Sequence, residues 1–228
     1  MHITDGFLPP TVCIAGYATT AALTWYTLRR INQQEDPQAG VPRAALLTAA
    51  FFVASWIHIP IPPGSVHLML GGLMGVVLGF YAFPAILIGL FFQAVMFGHG
   101  GLTTLGINAT MIGAPALIAG LLFRQVIKLN PTSRWLHGAA GFGAGALSTG
   151  LSISIFFIVL MTNLPTNLDA AIEQAAIVGL TLLHIPLLGI EAIITAMVVL
   201  FLQRVRPELL EGTDALPVAL PPASIEQA

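Results

Sequence analysis

The chain has 228 residues, of which 56% are hydrophobic and only 8% are charged, and its mean hydropathy is +0.88. An average soluble domain carries roughly 25% charged residues, so this composition excludes an ordinary water-soluble domain. The single cysteine, Cys13, excludes an internal disulfide. We therefore predict an all-α membrane protein, because lipid cannot satisfy exposed backbone hydrogen-bonding groups.

Apolar stretches follow one another between clusters of Pro, Gly, Asn and charged residues. A spanning helix needs about 20 mostly apolar residues. The stretches predict about seven transmembrane helices in a single domain at 1–206. Pro186 should break the last stretch, and the acidic, Pro- and Ala-rich residues 207–228 should form a disordered cytoplasmic tail. The seven stretches cover about 10–28, 44–59, 67–81, 84–98, 107–127, 136–162 and 170–203.

The basic residues predict the topology. All eight Lys and Arg residues fall in three places: Arg29, Arg30 and Arg43; Arg124, Lys128 and Arg134; and Arg204 and Arg206. Such clusters face the cytoplasm, and seven spans then place the N-terminus outside and the C-terminus in the cytoplasm. The outer face would comprise the N-terminus and the loops 60–66, 99–106 and 163–169. With Asp5 and Asp169 but no Lys or Arg there, an approaching cation meets no like charge.

Histidines are concentrated near that outer face. His2, His58, His67 and His99 map there, in a chain poor in other ionisable groups. Imidazole is the commonest protein ligand for late first-row divalent metals, so the clustering favours a metal site. A histidine near a membrane interface is nevertheless more often a hydrogen-bonded residue than a ligand, and spacing alone does not decide.

The first two residues offer a chelate. No basic region precedes the first apolar stretch, so Met1 is expected to remain on the mature protein. Its amine, the backbone amide nitrogen of His2 and the His2 ring would supply three nearly coplanar nitrogens, which suit Ni(II) or Cu(II), with Co(II) less committed. His67 is the first choice for a fourth nitrogen, and His58 and His99 compete for that place.

Glu191 is an acid within the apolar run at 187–202. Such residues usually face the bundle interior with a partner. His184, seven residues earlier, is expected to share its face and to orient it. A proton relay and a second metal site are the functional interpretations, whereas a polar clamp between helices is the favoured one.

Small residues four apart predict close helix contacts, within the chain rather than with a partner subunit. The pairs are Ala18 with Ala22, Gly71 with Gly75, Ala140 with Ala144, and Gly141 with Gly145.

Four segments resemble a known family. They read MHITDGFLP at 1–9, GSVH at 64–67, GHGGLTTLGIN at 98–108 and HIPLLGIE at 184–191. Together they resemble the cobalt/nickel substrate-capture subunits of energy-coupling factor transporters, the CbiM/NikM family. They span nearly the whole chain in the expected order.

The resemblance implies a multi-pass protein of the bacterial or archaeal inner membrane that captures Ni(II) or Co(II) as a transported substrate. Its ligands would be Met1 through the amine, His2 through the amide and ring, and His67 through the ring. Val66-His67-Leu68 is closer to the nickel branch of the family. Neighbouring or lid residues would be Ser65, His99 and Asn108.

The partners implied are a transmembrane coupling subunit, two ATP-hydrolysing subunits and, as a further candidate, a small accessory membrane subunit, with no nucleic acid. The chain has no phosphate-binding loop motif, and the resemblance implies that it is not an enzyme. An intramembrane metal-dependent enzyme using His184 and Glu191 is the alternative function, and an anchoring subunit with packing histidines is a third.

Overall fold

The computed structural model describes residues 2–61, 64–164 and 170–211. They form an all-α fold that also contains one short β-hairpin. The helices are α1 (Pro10–Ile31), α2 (Val41–Ala54), α3 (Gly71–Leu78), α4 (Ala82–Phe97), α5 (Leu105–Ile127), α6 (Arg134–Thr162), α7 (Ala170–Leu183), α8 (Ile185–Val205) and α9 (Glu208–Glu211). The antiparallel strands are β1 (His58–Ile61) and β2 (Gly64–His67).

Within the described residues, four segments are long and apolar enough to cross a membrane, which makes the chain a multi-pass membrane protein. They are Gly71–Phe97, Leu105–Ile127, Arg134–Thr162 and Ala170–Val205, and the shorter apolar helix Val41–Ala54 adds a fifth apolar element.

The apolar segment Gly71–Phe97 reverses direction instead of running straight. A straight helix of 27 residues would be about 40 Å long. Yet His67 before α3 and His99 after α4 have their Nε2 atoms 3.4 Å apart. The chain turns at Gly79, whose φ of +57° lies in the left-handed region. The Arg124 guanidinium fills the space that a Cβ at this glycine would occupy.

The boundaries of two predicted stretches were wrong. The stretch at 44–59 contains α2 only as far as Ala54, and its last residues enter β1. The stretch at 67–81 begins in β2, and its α-helix has eight residues, Gly71–Leu78. Hydropathy marks apolar residues but does not separate a short hairpin from a helix, since both can be apolar.

Close helix contacts within the chain are confirmed for the glycine pairs of α3 and α6. Ala18 and Ala22 of α1 are exposed, so the within-chain contact predicted for that pair was wrong. A Cβ on Gly75 of α3 would overlap the Ala116 carbonyl of α5, and one on Gly145 of α6 would overlap the backbone at Ala192 of α8. Glycine at these positions therefore lets α3, α5, α6 and α8 pack backbone against backbone.

The predicted break near Pro186 is confirmed. α7 ends at Leu183, His184 is not helical, and α8 starts at Ile185 with Pro186 in its first turn. Proline is tolerated there because its missing N–H has no helical partner. Beyond Arg206, the segment expected to be disordered begins with α9, where Leu210 is 1% exposed. Its remainder, 212–228, lies outside the described residues.

The bundle has two chemically different ends. We call the end that holds His2, His67 and His99 the histidine end, and the end that holds Arg30 and Arg124 the cationic end. α3 runs from the first to the second, because it starts four residues after His67 and ends at Gly79, against Arg124.

Candidate metal centre

The β-hairpin positions His67. Its strand β2 pairs with β1 in the register His58 with His67 and Pro60 with Ser65, and His67 is 6% exposed. The His67 Nδ1 lies 3.2 Å from the Leu68 carbonyl oxygen. A carbonyl can only accept, so Nδ1 carries the proton. Nε2 therefore keeps its lone pair, which is the atom a metal would use.

The end of α4 positions His99. Gly98 adopts a φ of +62° and terminates α4, and the His99 amide donates to the Gln93 carbonyl oxygen at 3.1 Å. This is the left-handed C-terminal turn that glycine favours. It directs the chain back towards β2, so that the His99 ring approaches the His67 ring with centroids 5.0 Å apart.

Asn108 and Thr104 of the α4–α5 region hold the segment that carries His2. The Asn108 Oδ1 accepts from the Ile3 amide at 3.0 Å, and its Nδ2 donates to the Ile3 carbonyl at 3.0 Å. The Thr104 hydroxyl donates to the same carbonyl at 2.6 Å. A neighbouring β-strand would bond to the backbone N–H and C=O of Ile3 in the same way, and the side chain of Asn108 takes the place of that strand. With Ile3 3% exposed, His2 is held against α4.

Asp5 provides a second anchor. Its carboxylate accepts from the amides of Leu102 at 3.1 Å and Thr103 at 2.8 Å and from the Thr103 hydroxyl at 2.5 Å. The Thr103 hydroxyl and these amides lower the pKa of Asp5, because they stabilise its ionised form. Gly101 has no room for a Cβ, since Asp5 lies against it. The carboxylate thus fastens the N-terminal segment to the loop before α5.

Three imidazoles form a compact cluster. The ring centroids are 5.1 Å apart for His2 and His67, 4.4 Å for His2 and His99, and 5.0 Å for His67 and His99. One nitrogen from each ring lies within 4.8 Å of the other two. Metal–imidazole bonds are about 2.0–2.1 Å, so two nitrogens on one ion are at most about 4 Å apart. A contraction of less than about 1 Å would bring the rings into binding distance.

The cluster is prepared for a cation by the state of His2. Both of its ring nitrogens are buried, and the side-chain amide of Gln93 lies beside the ring. Burial lowers the pKa of His2 well below its ordinary value, and the neighbouring His67 and His99 lower it further. The ring is therefore neutral, as a metal ligand must be. One nitrogen of this ring can bind a metal ion, and Gln93 lies beside the ring to interact with the other.

Gln93 is a neighbour of the cluster that the sequence analysis missed. It lies on α4, is 0% exposed, and its side-chain amide interacts with the His2 ring. Its signal in the sequence is a lone amide within the apolar run 84–98. Polar residues at such positions commonly face the interior of the bundle and serve the site.

The other predicted site residues are not members of the imidazole cluster, or they lie outside the residues or side chains that the structure describes. Asn108 contacts the backbone of Ile3, one residue away from the cluster. Met1 and Asp169 are outside the described residues, and so are the side chains of His58 and Ser65, whose backbones belong to β1 and β2.

The expected orientation of Glu191 by His184 was wrong. Glu191 accepts backbone hydrogen bonds from Met69 and Leu70, whereas the His184 Nδ1 lies 2.7 Å from the Leu180 carbonyl oxygen of its own helix. Two backbone donors next to α3 compete with His184 for the Glu191 carboxylate, and a carbonyl of its own helix holds the His184 ring. The polar clamp between helices, which was the favoured interpretation, agrees with these bonds.

Comparison with known proteins identifies the family. The family model for the CbiM cobalt uptake substrate-specific transmembrane region matches residues 2–209. A Haemophilus influenzae protein named as a metal transport protein is 36% identical over 216 residues, which cover 94% of this chain and 98% of the relative. The fused nickel transport protein NikMN of Rhodobacter capsulatus is 31% identical over 227 residues, covering 92% of this chain and 64% of the relative.

A solved structure agrees on the fold. The crystal structure of a transition metal transporter superposes with a TM-score of 0.68 at 23% identity, covering 90% of this chain and 93% of that one. Together with the family match, this completes the identification: the chain belongs to the CbiM family, that of the substrate-specific transmembrane region for cobalt uptake.

Proposed function

We propose that this chain captures Ni(II) or Co(II) at the outer face of the bacterial or archaeal inner membrane, as the substrate-binding subunit of an energy-coupling factor importer. The observation that carries the proposal is the cluster of three imidazoles, one of which, His2, has both ring nitrogens buried. The family and the relatives named for cobalt and nickel transport support the choice of metal.

The proposed site is a square of four nitrogens. The amine of Met1, the amide of His2 and the His2 ring provide three, and the His67 Nε2 provides the fourth. Two fused chelate rings hold the first three in one plane, which suits Ni(II). His99 then lies next to the square, within 3.4 Å of the His67 Nε2, where it can donate or accept a proton as metal binds. Gln93 faces the free nitrogen of the His2 ring and can orient it.

The proposed topology has seven spans, with the N-terminus outside and the C-terminus in the cytoplasm. The reversal at Gly79 divides the apolar segment Gly71–Phe97 between two spans. These two spans, α3 and α4, join α1, α2, α5 and α6. The broken pair of α7 and α8 counts as one further span, which gives seven. This arrangement puts the cationic end in the cytoplasm, in keeping with the positive-inside rule, and the histidine end outside.

Transport would require partners, because capture alone moves no ion. We propose a transmembrane coupling subunit and two ATP-hydrolysing subunits, with a small accessory membrane subunit as a further component. The chain spans 64% of the fused nickel relative, and the remaining third of that relative supports an accessory component. In this proposal the chain binds the ion and carries out no chemical reaction.

Metal analysis of the purified chain tests the function. The protein, carried in detergent with any tag at the C-terminus, is exposed to equimolar Ni(II) and Co(II) and then freed of excess metal. We expect one equivalent of bound metal with nickel predominating, and an absorption band of square-planar nickel bound by nitrogen. Absence of bound metal in the folded protein would contradict the proposal, and predominance of cobalt would reverse the preference without removing the function.

A further inference from the structure

The linker between His67 and α3 has an unusual backbone. Leu70 has a φ of +49°, and it is the one residue other than glycine with a positive φ in the part of the chain that the structure describes. A side chain makes this left-handed conformation unfavourable. Such a conformation persists only where the surroundings hold it, and it is concentrated at functional sites. Here it lies three residues from a predicted metal ligand.

Glu191 of α8 holds this linker. Its Oε1 accepts from the amide of Met69 at 2.5 Å and from the amide of Leu70 at 3.0 Å, across more than 120 residues of sequence. Successive backbone N–H groups in such a turn form a concave site for an anion. They also lie at the N-terminus of α3, where the helix dipole favours a negative group. An oxygen of Glu191 therefore matches the linker in geometry, because it accepts from both amides.

The burial of Glu191 indicates that this contact is specific. The side chain is 0% exposed, and its other oxygen, Oε2, has no hydrogen-bond partner among the described residues. A carboxylate inside a membrane protein is costly, and the apolar residues Leu187 and Ala192 around it are also buried. A contact that needed only packing would not require a hydrogen-bond acceptor at this position.

His67 lies two residues from this contact. On its N-terminal side it is held by pairing with β1, and on its C-terminal side only Leu68 separates it from Met69, which is 2% exposed. A residue of extended chain spans at most about 3.3–3.6 Å, so a shift of Met69 is transmitted to the His67 ring almost undiminished. The ring must be correct to a fraction of an ångström to complete a metal site.

We propose that Glu191 is a positioning residue for the metal centre: it sets the place of the His67 ring by holding the amides of Met69 and Leu70. This inference rests on the proposed function, since it assigns a role within the same site. Glu191 is not itself a ligand in this proposal, because the oxygen that faces the linker is already occupied by two backbone donors.

Two substitutions of Glu191 and one matched control test the proposal. Glu191→Gln keeps an oxygen that can accept both amide bonds, whereas Glu191→Ala removes it. Thr195→Val is the control, because Thr195 lies one turn further along α8, is 0% exposed, and has a hydroxyl without a partner in the described chain. For each folded variant, the Kd for Ni(II) and the ligand-field spectrum of the bound nickel are measured in detergent, beside amide exchange at Met69 and Leu70.

We expect Glu191→Ala to weaken nickel binding by about 10- to 100-fold, as for other groups that orient a ligand, with an altered spectrum and faster exchange at both amides. Glu191→Gln and Thr195→Val should remain within about 3-fold of the wild type, with unchanged spectra. Equal losses in the Gln and Ala variants, or an unchanged Kd and spectrum in a folded Ala variant, would overturn the proposal.

Two controls separate the possible failures. If Glu191→Ala does not fold, amide exchange at Met69 and Leu70 still tests the proposal. Fast exchange at both amides in the wild type would contradict it, and protection of both amides in the wild type and in Glu191→Gln would support it. A wild-type chain that binds no nickel would remove the proposed function. A wild-type chain that binds nickel while Glu191→Ala binds it equally well would remove only the role of Glu191.

Discussion

The histidine end and the cationic end of the bundle are stabilised in different ways. At the histidine end, side chains bond to backbone groups of non-helical segments, as Asn108 does to Ile3 and Asp5 does to Thr103. At the cationic end, guanidinium groups lie over aromatic rings: Arg30 is 5.4 Å from the Tyr26 ring and 5.8 Å from the Phe80 ring. Hydrogen bonds to backbone fix a position within tenths of an ångström, whereas a cation over a ring has no such directional requirement.

The cationic end also has a bond of the first kind, from the Tyr81 hydroxyl to the Pro37 carbonyl oxygen at 2.7 Å, but only the histidine end is proposed to hold a metal, whose ligands need tight geometric control. A metal site depends on exact ligand placement, while the choice of membrane orientation depends on the amount of positive charge near a helix end. Substitutions at the histidine end should therefore alter metal binding, and substitutions at the cationic end should leave it unchanged.

The largest effect is expected from lengthening the N-terminus. One residue added before Met1 would remove its amine from the chelate, so nickel binding should be abolished. The measurement is nickel stoichiometry of the extended protein after removal of excess metal, with a C-terminally tagged chain as the matched control. Full retention of nickel by the extended protein would contradict the chelate.

Single alanine variants of three histidines should give graded effects. His67→Ala removes one of four proposed donors, so nickel should be lost or bound with altered geometry. His99→Ala should cost about 10- to 100-fold in affinity, as expected for a residue beside the ligands. His58, which pairs with His67 through the backbone of the hairpin, is the matched control, and His58→Ala should retain nickel.

The assay combines nickel stoichiometry with the d–d absorption of the bound ion. A full equivalent with an unchanged spectrum in His67→Ala, together with loss in His99→Ala, would transfer the ligand role to His99. The cluster geometry makes this a sharp test, because the two rings have Nε2 atoms only 3.4 Å apart.

Asn108→Ala should loosen the N-terminal segment without touching a ligand. It leaves the amide of Ile3 buried without its partner, which costs about 1–3 kcal/mol, and it should weaken nickel binding by about 10- to 100-fold by analogy with other outer groups. Asp5→Asn is a milder variant at the second anchor. An unchanged nickel Kd in a folded Asn108→Ala protein would show that the segment does not need this anchor.

Much of this arrangement could be predicted from the sequence, because it depends on residue types and hydropathy. The apolar stretches predicted an all-α membrane fold, and Pro186 predicted the break between α7 and α8. The histidines at 2, 67 and 99 were expected near one face, and the structure brings their rings together.

The rest could not be predicted, because it depends on backbone groups that every sequence shares. Nothing in the residue types indicates that Asn108 bonds to Ile3, or that Glu191 bonds to the amides of Met69 and Leu70. The interaction expected between His184 and Glu191 was wrong for the same reason, because each side chain bonds to a backbone group instead. The position of Gln93 beside the cluster was indicated in the sequence only by an amide side chain within an apolar run.

Acid should weaken the histidine end. The folded-state pKa of His2 is lowered from about 6.5, mainly by burial, so below about pH 6.5 the released segment binds more protons than the docked one. Stability of the docked segment is thus full above that pH and declines as the pH falls. Nickel binding should also decline below about pH 6, since the ligands must lose protons. The readouts are amide exchange at Ile3 and the nickel Kd, each against pH.

His2→Ala is the control for the first readout, because it removes the titrating ring and should remove the pH dependence of the protection of the Ile3 amide relative to its intrinsic exchange rate. Nickel affinity that stays constant from pH 8 to pH 5 would point to carboxylate ligands such as Asp5 or Asp169 instead.

The smallest effect is expected at the cationic end, from Arg30→Gln. The side chain of Arg30 lies over the rings of Tyr26 and Phe80, and an exposed contact of this kind contributes about 0.5–1 kcal/mol. Its loss should lower the unfolding free energy by no more than that, and the nickel Kd should stay within about 2-fold of the wild type, since distant sites are independent within about 0.5 kcal/mol. The measurement is a calorimetric nickel titration of Arg30→Gln and, for comparison, of Asn108→Ala.

If Arg30→Gln weakened nickel binding as much as Asn108→Ala, the two ends would be coupled through the helices, and the distinction between a geometric end and an electrostatic end would be wrong. A loss of correct membrane insertion with an unchanged Kd in the inserted fraction would instead support it, because it would separate orientation from capture.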